Sequence, residues 1–318
     1  MLPEEEKEFQ IIKKLLDNKQ LIEAEYIDVP NGDDAVVLST DNISKIVISQ
    51  DSIVEGVHFD LKFSSFEDIA YKLVNINISD IVSMGGEPLG ILITAGFDSS
   101  HIDYINKEFI PSLKTKLIEE NIKLLGGDIT LSQKIFFSAT LIGRLLTSES
   151  ILRYKANIGD VVFITGYTGI SALGLWALKN NVKIDNRVLN IHKRATHRRD
   201  LLEIISKIDI TSMTDISDSL YIALKLLIDE NKDIVIDTLP IADEFDFLSD
   251  MSMIEDFILY GGEDFELVFT APKSEESNII DLFKKYKKNI FKIGYVKEGR
   301  RRIIYKDKIL KDKGFRHF

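Results

Sequence analysis

From residue 34 to residue 296, short β-type runs alternate with helix-period stretches, which restricts the chain to layered α/β or α+β architecture. The strongest helical stretch is 66–84, stopped by Gly85-Gly86 and then Pro88. Before it come a helix-period face at 4–18 (Phe9, Ile12, Leu15, Leu16) and β-type runs at 34–39 and 45–50. A strand at 89–97, a helix around 104–120 and a strand at 134–144 complete a first domain. The more polar stretch 145–159 carries the boundary, giving domains 1–148 and 149–318. In the second, strands are expected at 160–165, 233–237, 265–270 and 290–296. Helices are expected there at 171–179, 198–207, 218–229 and 275–287. Whether the sheets are parallel is open on pattern alone.

Charge and cysteine usage narrow the chemistry. Forty Lys and Arg against 51 Asp and Glu give a net charge of −11, the wrong sign for a non-specific nucleic-acid binder. There is no cysteine, so disulfides, thiolate nucleophiles, Cys-ligated zinc and iron–sulfur clusters are excluded. With five His, metal binding falls to carboxylates, which favour hard cations such as magnesium. The start MLPEEEKEF is acidic, unlike a secretory signal, and apolar runs such as 90–96 and 161–165 are short for a membrane span. A cytoplasmic protein without nucleic-acid or membrane partners is expected. No P-loop, G-x-G-x-x-G, G-x-S-x-G or H-x-x-x-H motif occurs.

What stands out is acid–glycine punctuation. Carboxylates lie against Gly, Ser or Thr in Gly32-Asp33-Asp34, Ser49-Gln50-Asp51, Asn77-Ile78-Ser79-Asp80, Gly126-Gly127-Asp128, Asp215-Ile216-Ser217-Asp218 and Gly261-Gly262-Glu263-Asp264. Singly, each reads as a turn or a helix cap. Asp80 resists that reading, because it falls near the end of the 66–84 helix, where the dipole disfavours a carboxylate. Asp51 ends the 45–50 run and is expected to project from the sheet's carboxyl edge, where ligands often sit in α/β proteins. Jointly, these acids point to divalent ions carrying a polyphosphate. His58 is the histidine singled out, while His101, His192, His197 and His317 read as surface. Arg153 is a candidate phosphate contact. The Gly-rich turn 165–169 is either a phosphate approach at a helix N-terminus or an ordinary tight connection.

In order along the chain, GDDAVVL, QDSIVEGVHF, NINISDIVSMGGEP, GGDIT, TGYTGISALGL, TDISDSL, YGGEDFELVFT and KGFRHF resemble the thiamine-monophosphate kinases, which share a superfamily with aminoimidazole ribonucleotide synthetase. The resemblance implies a two-domain aminoimidazole ribonucleotide synthetase-like fold: an N-terminal α/β domain that binds ATP and magnesium and dimerises through its sheet, and a C-terminal α+β domain. It implies ATP-dependent phosphorylation of thiamine monophosphate to thiamine diphosphate by a homodimer using several magnesium ions. Carried over by motif, Asp34, Ser49, Asp51, Asp80, Asp128, Asp215 and Asp218 would ligate metal. Gly127, Asp128, Arg153 and Ser217 would contact ATP, and His58, Glu263 and Phe315 the thiamine phosphate.

The chain departs from the family pattern at four places. Gln50 stands where Thr is usual, Ile170 where Asp is common, Ser219 where Gly is usual, and Asp312 where an aromatic is expected, with Phe315 as its replacement. A phosphate monoester acceptor is already anionic at neutral pH, so direct in-line transfer without a general base is expected. Two alternatives stay open: another ATP- and magnesium-using enzyme of the superfamily, and a non-catalytic magnesium or nucleotide binder.

Overall fold

The computed structural model describes residues 27–29, 36–40 and 44–314. The expected helix at 4–18, Asp34 and Phe315 lie outside the described residues. Two sheets organise the rest. The first has the order β1-β2-β3-β6-β4-β5, built from β1 Ile27–Val29, β2 Val36–Thr40, β3 Ser44–Val54, β4 Gly86–Phe97, β5 Lys123–Leu131 and β6 Phe136–Leu145. Only β4 and β5 pair in parallel here; the other neighbours are antiparallel. Strand β5 was not expected from the sequence, because Gly126-Gly127 at its centre breaks the β pattern. It forms one edge of the sheet and is exposed along its whole length.

Helix α1 (Phe66–Ser83) lies against this sheet. Ser65 and Asp68 start it with a reciprocal capping box, Ser65 Oγ accepting from Asp68 N–H and Asp68 Oδ2 accepting from Ser65 N–H. Its apolar residues, among them Ile69, Leu73, Ile78, Ile81 and Val82, are fully buried. So are several polar ones, as expected of a helix covered on every side. One side meets Val47, Ile53, Ile91, Phe137 and Leu141 of the sheet, and the same apolar core continues to Phe163, Met213 and Phe269 of the C-terminal half. Helix α2 (Ile110–Glu119) packs alongside α1 and is preceded by a π turn at Ile105–Phe109.

The second sheet has the order β13-β12-β9-β11-β7-β10-β8. Its strands are β7 Val161–Ile164, β8 Ser212–Asp215, β9 Lys232–Ile236, β10 Leu267–Ala271, β11 Phe291–Glu298, β12 Ile303–Tyr305 and β13 Lys308–Ile309. All described pairings are antiparallel except β12 with β9. The period-2 alternation of β7 and β10 sends Phe163 and Phe269 to the α1 side, and Val162, Ile164 and Val268 to a second core. That core is covered by α3 Ile170–Asn180, α5 Leu220–Leu227 and α6 Met251–Tyr260. Helix α4 (Asn186–Arg194) bridges back to α1, and α7 is Glu276–Lys285. The helix expected at 198–207 is only two short turns, Arg199–Leu201 and Leu202–Ile205.

Candidate active site

The two sheets bring four carboxylates together around the C-terminal end of α1. Strand β3 places Ser49 and Asp51 two residues apart, so both face α1. The sequence put Asp51 at a strand end. It is instead inside β3, which continues to Val54 paired with Phe136, so its setting is the face of the sheet and not its edge. Asp80 occupies the last turn of α1, a turn without a basic residue. Ser49 Oγ donates a short hydrogen bond to Asp80 Oδ2. From the other domain, Asp215 closes β8, and Ser79 Oγ donates to its Oδ2 at 2.6 Å. Asp218 follows in the exposed turn before α5.

Burial raises the pKa values of Asp51, Asp80 and Asp215, and neighbouring acids add to the rise at Asp51 and Asp80. Asp51 is pushed up to about 7, first by burial and then by the charges of Asp215 and Asp218. Burial, then Asp51 and Asp215, holds Asp80 well above the usual carboxylate range against the opposing Ser49 hydrogen bond. Burial also raises Asp215, opposed by Ser79 and by the Arg153 charge. Arg153 Nε donates to Thr214 Oγ1 at 3.1 Å, which sets the guanidinium beside this cluster. Asn77, one turn before Asp80, is fully buried, and its Oδ1 has no hydrogen-bond partner among the described residues.

The donor set is oxygen only, which suits a hard cation. Among the described residues no three acidic or histidine side chains are arranged to hold one ion by themselves. An oxygen-only set of this kind is the chemistry magnesium takes, with waters and substrate phosphates completing its shell.

Gly127 and Asp128 are not part of this cluster within one chain. Register across the sheet runs Asp51–Ala139–Ile93–Gly127, three strand spacings or roughly 14 Å. Asp128 lies on the opposite face of the sheet from Asp51, in register with Thr94, Ser138 and Ser52. Gln50 also faces that side. Its amide donates to Ser138 Oγ and accepts from Thr140 Oγ1, each at 3.3 Å.

The loop Gly261-Gly262-Glu263 packs onto the Asp215–Asp218 turn. Glu263 N–H donates to Ser217 O at 2.6 Å and Phe265 N–H to Ile216 O at 2.9 Å. A Cβ on Gly262 would stand 2.6 Å from Asp218 O, so only glycine permits this approach. Glu263 itself adopts a φ of 65°. His58 lies in the loop after β3 with Nδ1 accepting from Val54 N–H at 3.1 Å, which leaves Nε2 as the protonated nitrogen. Sequence reasoning missed the group joining these two. Lys72, 1% exposed, reaches Glu263 Oε1 at 2.7 Å and His58 O at 2.7 Å. A lysine inside an otherwise buried helical stretch was the available signal. His192 and His197, read as surface, are largely buried: His192 Nδ1 lies 3.4 Å from Glu263 Oε2, and His197 Nε2 3.0 Å from Glu120 Oε1.

The Gly-rich turn resolves as a structural connection. Gly169, at a φ of 85°, begins α3. Asp264 accepts from Gly169 N–H at 2.5 Å and Ser171 N–H at 3.0 Å, so a carboxylate already caps that N-terminus. At the C-terminal end, Gly314 N–H donates to Asp312 Oδ1 at 2.8 Å; burial raises Tyr221 and Tyr260, and the Asp312 charge adds to it.

Comparison with known proteins supports a single grouping. Residues 32–145 match the AIR synthase related protein N-terminal domain, and residues 157–307 match the corresponding C-terminal domain. The thiamine-monophosphate kinase of Buchnera aphidicola subsp. Schizaphis graminum is 34% identical, covering 98% of each chain. That of Bacillus subtilis is 31% identical over 98% of this chain and 99% of its own. The solved structure of AaThiL complexed with AMPPCP and TMP superposes with a TM-score of 0.81 at 28% identity, covering 98% of this chain and 96% of that one. Hydrogenase maturation protein HypE shares the fold alone, at 16% identity and a TM-score of 0.66. The chain belongs to the thiamine-monophosphate kinase family, built from the two AIR synthase related domains.

Proposed function

We propose that this protein transfers the γ-phosphoryl group of ATP to thiamine monophosphate, giving thiamine diphosphate, in the cytoplasm. The observation that carries the reading is the cluster of Asp51, Asp80 and Asp215, which gathers carboxylates from both domains and raises their pKa values. Such a cluster is costly to ionise without a cation. Asp51, Asp80, Asp215 and Asp218, with Ser49 and, from the family motif, Asp34, would hold the magnesium. Bound there, magnesium supplies charge neutralisation between two polyanionic phosphates. Ser49 and Ser79 orient the carboxylates through their hydroxyls, and Arg153 adds a cation beside Thr214 for ATP phosphate. Ser217 sits in the turn between Asp215 and Asp218, in reach of the same phosphates. No general base is assigned, because the acceptor is already an anion. His58 and Glu263 orient the thiamine phosphate, with Phe315 as its aromatic contact.

The same reading takes residues 1–148 as the ATP, magnesium and dimerisation domain and 149–318 as the C-terminal domain. Dimerisation through the first sheet is supported by β5, an edge strand that exposes Leu124, Leu125, Ile129 and Leu131. It also accounts for Gly127 and Asp128. Standing three strands from Asp51 and on the other face, Asp128 serves ATP and metal next to a second copy of the chain.

The test is product formation from purified protein with ATP, magnesium and either thiamine monophosphate or free thiamine. Product from the monophosphate alone is expected. No product from either, with magnesium-dependent ATP binding intact, would favour another enzyme of the superfamily or a non-catalytic binder.

A further inference from the structure

We propose that Lys72 positions Glu263 for the acceptor substrate, a role that rests on the reading of Glu263 as a thiamine phosphate contact. A lysine ammonium carries three donors, and Lys72 Nζ has three acceptors: Glu263 Oε1 at 2.7 Å, His58 O at 2.7 Å and His192 O at 3.4 Å. The tripod ties α1 of the first domain to the His58 loop and to two elements of the second. The other carboxylate oxygen of Glu263 is met by His192 Nδ1 at 3.4 Å, and that nitrogen also lies 3.2 Å from Ser171 Oγ. Each oxygen of Glu263 therefore has its own partner from a different helix. Its side chain still keeps 28% of its surface open, so the fixed carboxylate remains accessible to a ligand.

A purely structural rivet does not call for this arrangement. Isolated buried ion pairs are generally matched or bettered by apolar residues of the same volume. Here the ammonium is buried while its carboxylate partner is open, the geometry of a support behind a working group. The loop backbone is committed as well, since Glu263 holds a positive φ after two glycines and its N–H is bound to Ser217 O. Lys72 thus completes the constraint on the side chain that the loop places on the main chain. The same ammonium donates to the carbonyl of His58, a contact to that residue's main chain, while its ring is held by Val54 N–H.

The experiment is steady-state kinetics on the full chain for Lys72→Met, Glu263→Gln and the double variant, with melting temperatures for each. Lys72→Met is expected to raise KM for thiamine monophosphate about tenfold while KM for ATP stays within about twofold. In the Glu263→Gln background, Lys72→Met is expected to add less than about twofold, because the two act as one unit. A lower melting temperature with both KM values unchanged, or both raised equally, would show a structural role only and overturn the proposal. Should Glu263→Gln leave the acceptor KM unchanged, the reading of Glu263 fails and the proposal with it. A raised acceptor KM in Glu263→Gln but not in Lys72→Met overturns the Lys72 role alone. If Lys72→Met does not fold, Lys72→Arg is judged by the same split. Its planar fork cannot reproduce the tripod, so an acceptor KM raised about threefold is expected, and an unchanged one contradicts the proposal.

Discussion

The two ends of helix α1 treat buried charge in opposite ways. At its start, Asp68 caps the helix and is paired with Arg194 Nε at 2.6 Å, and Lys72 one turn on is paired with Glu263. Asn75 adds hydrogen bonds from its Nδ2 to the carbonyls of Arg194 and Ala195. Every charge there has a counter-charge on the other domain, so the start of α1 works as a join. At its end, Asp80 meets Asp51 and Asp215, with serine hydroxyls to Asp80 and Asp215 and Arg153 beside Asp215. The helix dipole adds to the repulsion, because a carboxylate in the last turn faces the negative pole. The same 18-residue helix therefore holds one region built to be stable as it stands and another whose charge is left in excess. That excess is what a magnesium–phosphate ligand would neutralise.

Substitutions at the two ends should separate activity from stability. Asp80→Asn is expected to lower kcat at least about a hundredfold, roughly 2.7 kcal/mol, while its melting temperature stays equal or rises. A fall in both would erase the contrast between the ends. The pH dependence sharpens the stable end. Burial, reinforced by the nearby Lys72 ammonium and opposed by Glu263, lowers the His192 pKa to about 4. The unfolded chain thus binds a proton between pH 6.5 and 4 that the folded one does not. Stability is full above about pH 6.5 and lost as pH falls towards 4, by about 3 kcal/mol. Denaturant melts across that range, on wild type and His192→Gln, check it; equal slopes would contradict it. Arg194→Met leaves Asp68 without its cation and is expected to cost about 2 kcal/mol of stability, between exposed-pair and buried-pair values. Its kcat should change less than about twofold, and a large kinetic loss would mean the join is not separate from the chemistry. Glu120 is held down at about 2 by His197 and Lys116 against its burial. Its contribution is present above about pH 4.5 and lost as pH falls through 2, which a Glu120→Gln melt below pH 4 should no longer show.

How far the sequence reached follows from the same contrast. The 66–84 helix was legible because its apolar run and the stop at Gly85-Gly86 and Pro88 agree, and the structure adds the Ser65–Asp68 cap at its start. Asp80 was legible because a carboxylate at that end of a helix violates local electrostatics. Strand β5 was hidden by its two glycines, and β8 by its brevity, four residues between polar turns. Helix α4 escaped because its charged run Asn186–Arg194 looks like a loop until its pairing with α1 is seen. Asp51 was recognised but misplaced, since nothing local distinguishes a strand end from a strand that continues. Lys72 and His192 were missed for a different reason. Lys72 meets Glu263 and the carbonyl of His192 only where the two domains dock, and His192 meets Glu263, far along the chain, only once the second domain has folded.

Measuring thiamine diphosphate formation by wild type and Asp80→Asn side by side, with ATP, magnesium and thiamine monophosphate, tests the central claim most directly. Product is expected from the wild type, and a folded Asp80→Asn protein is expected to form it at least about a hundredfold more slowly. A folded Asp80→Asn protein with a near-normal rate, or a wild type that forms no thiamine diphosphate, would contradict that claim.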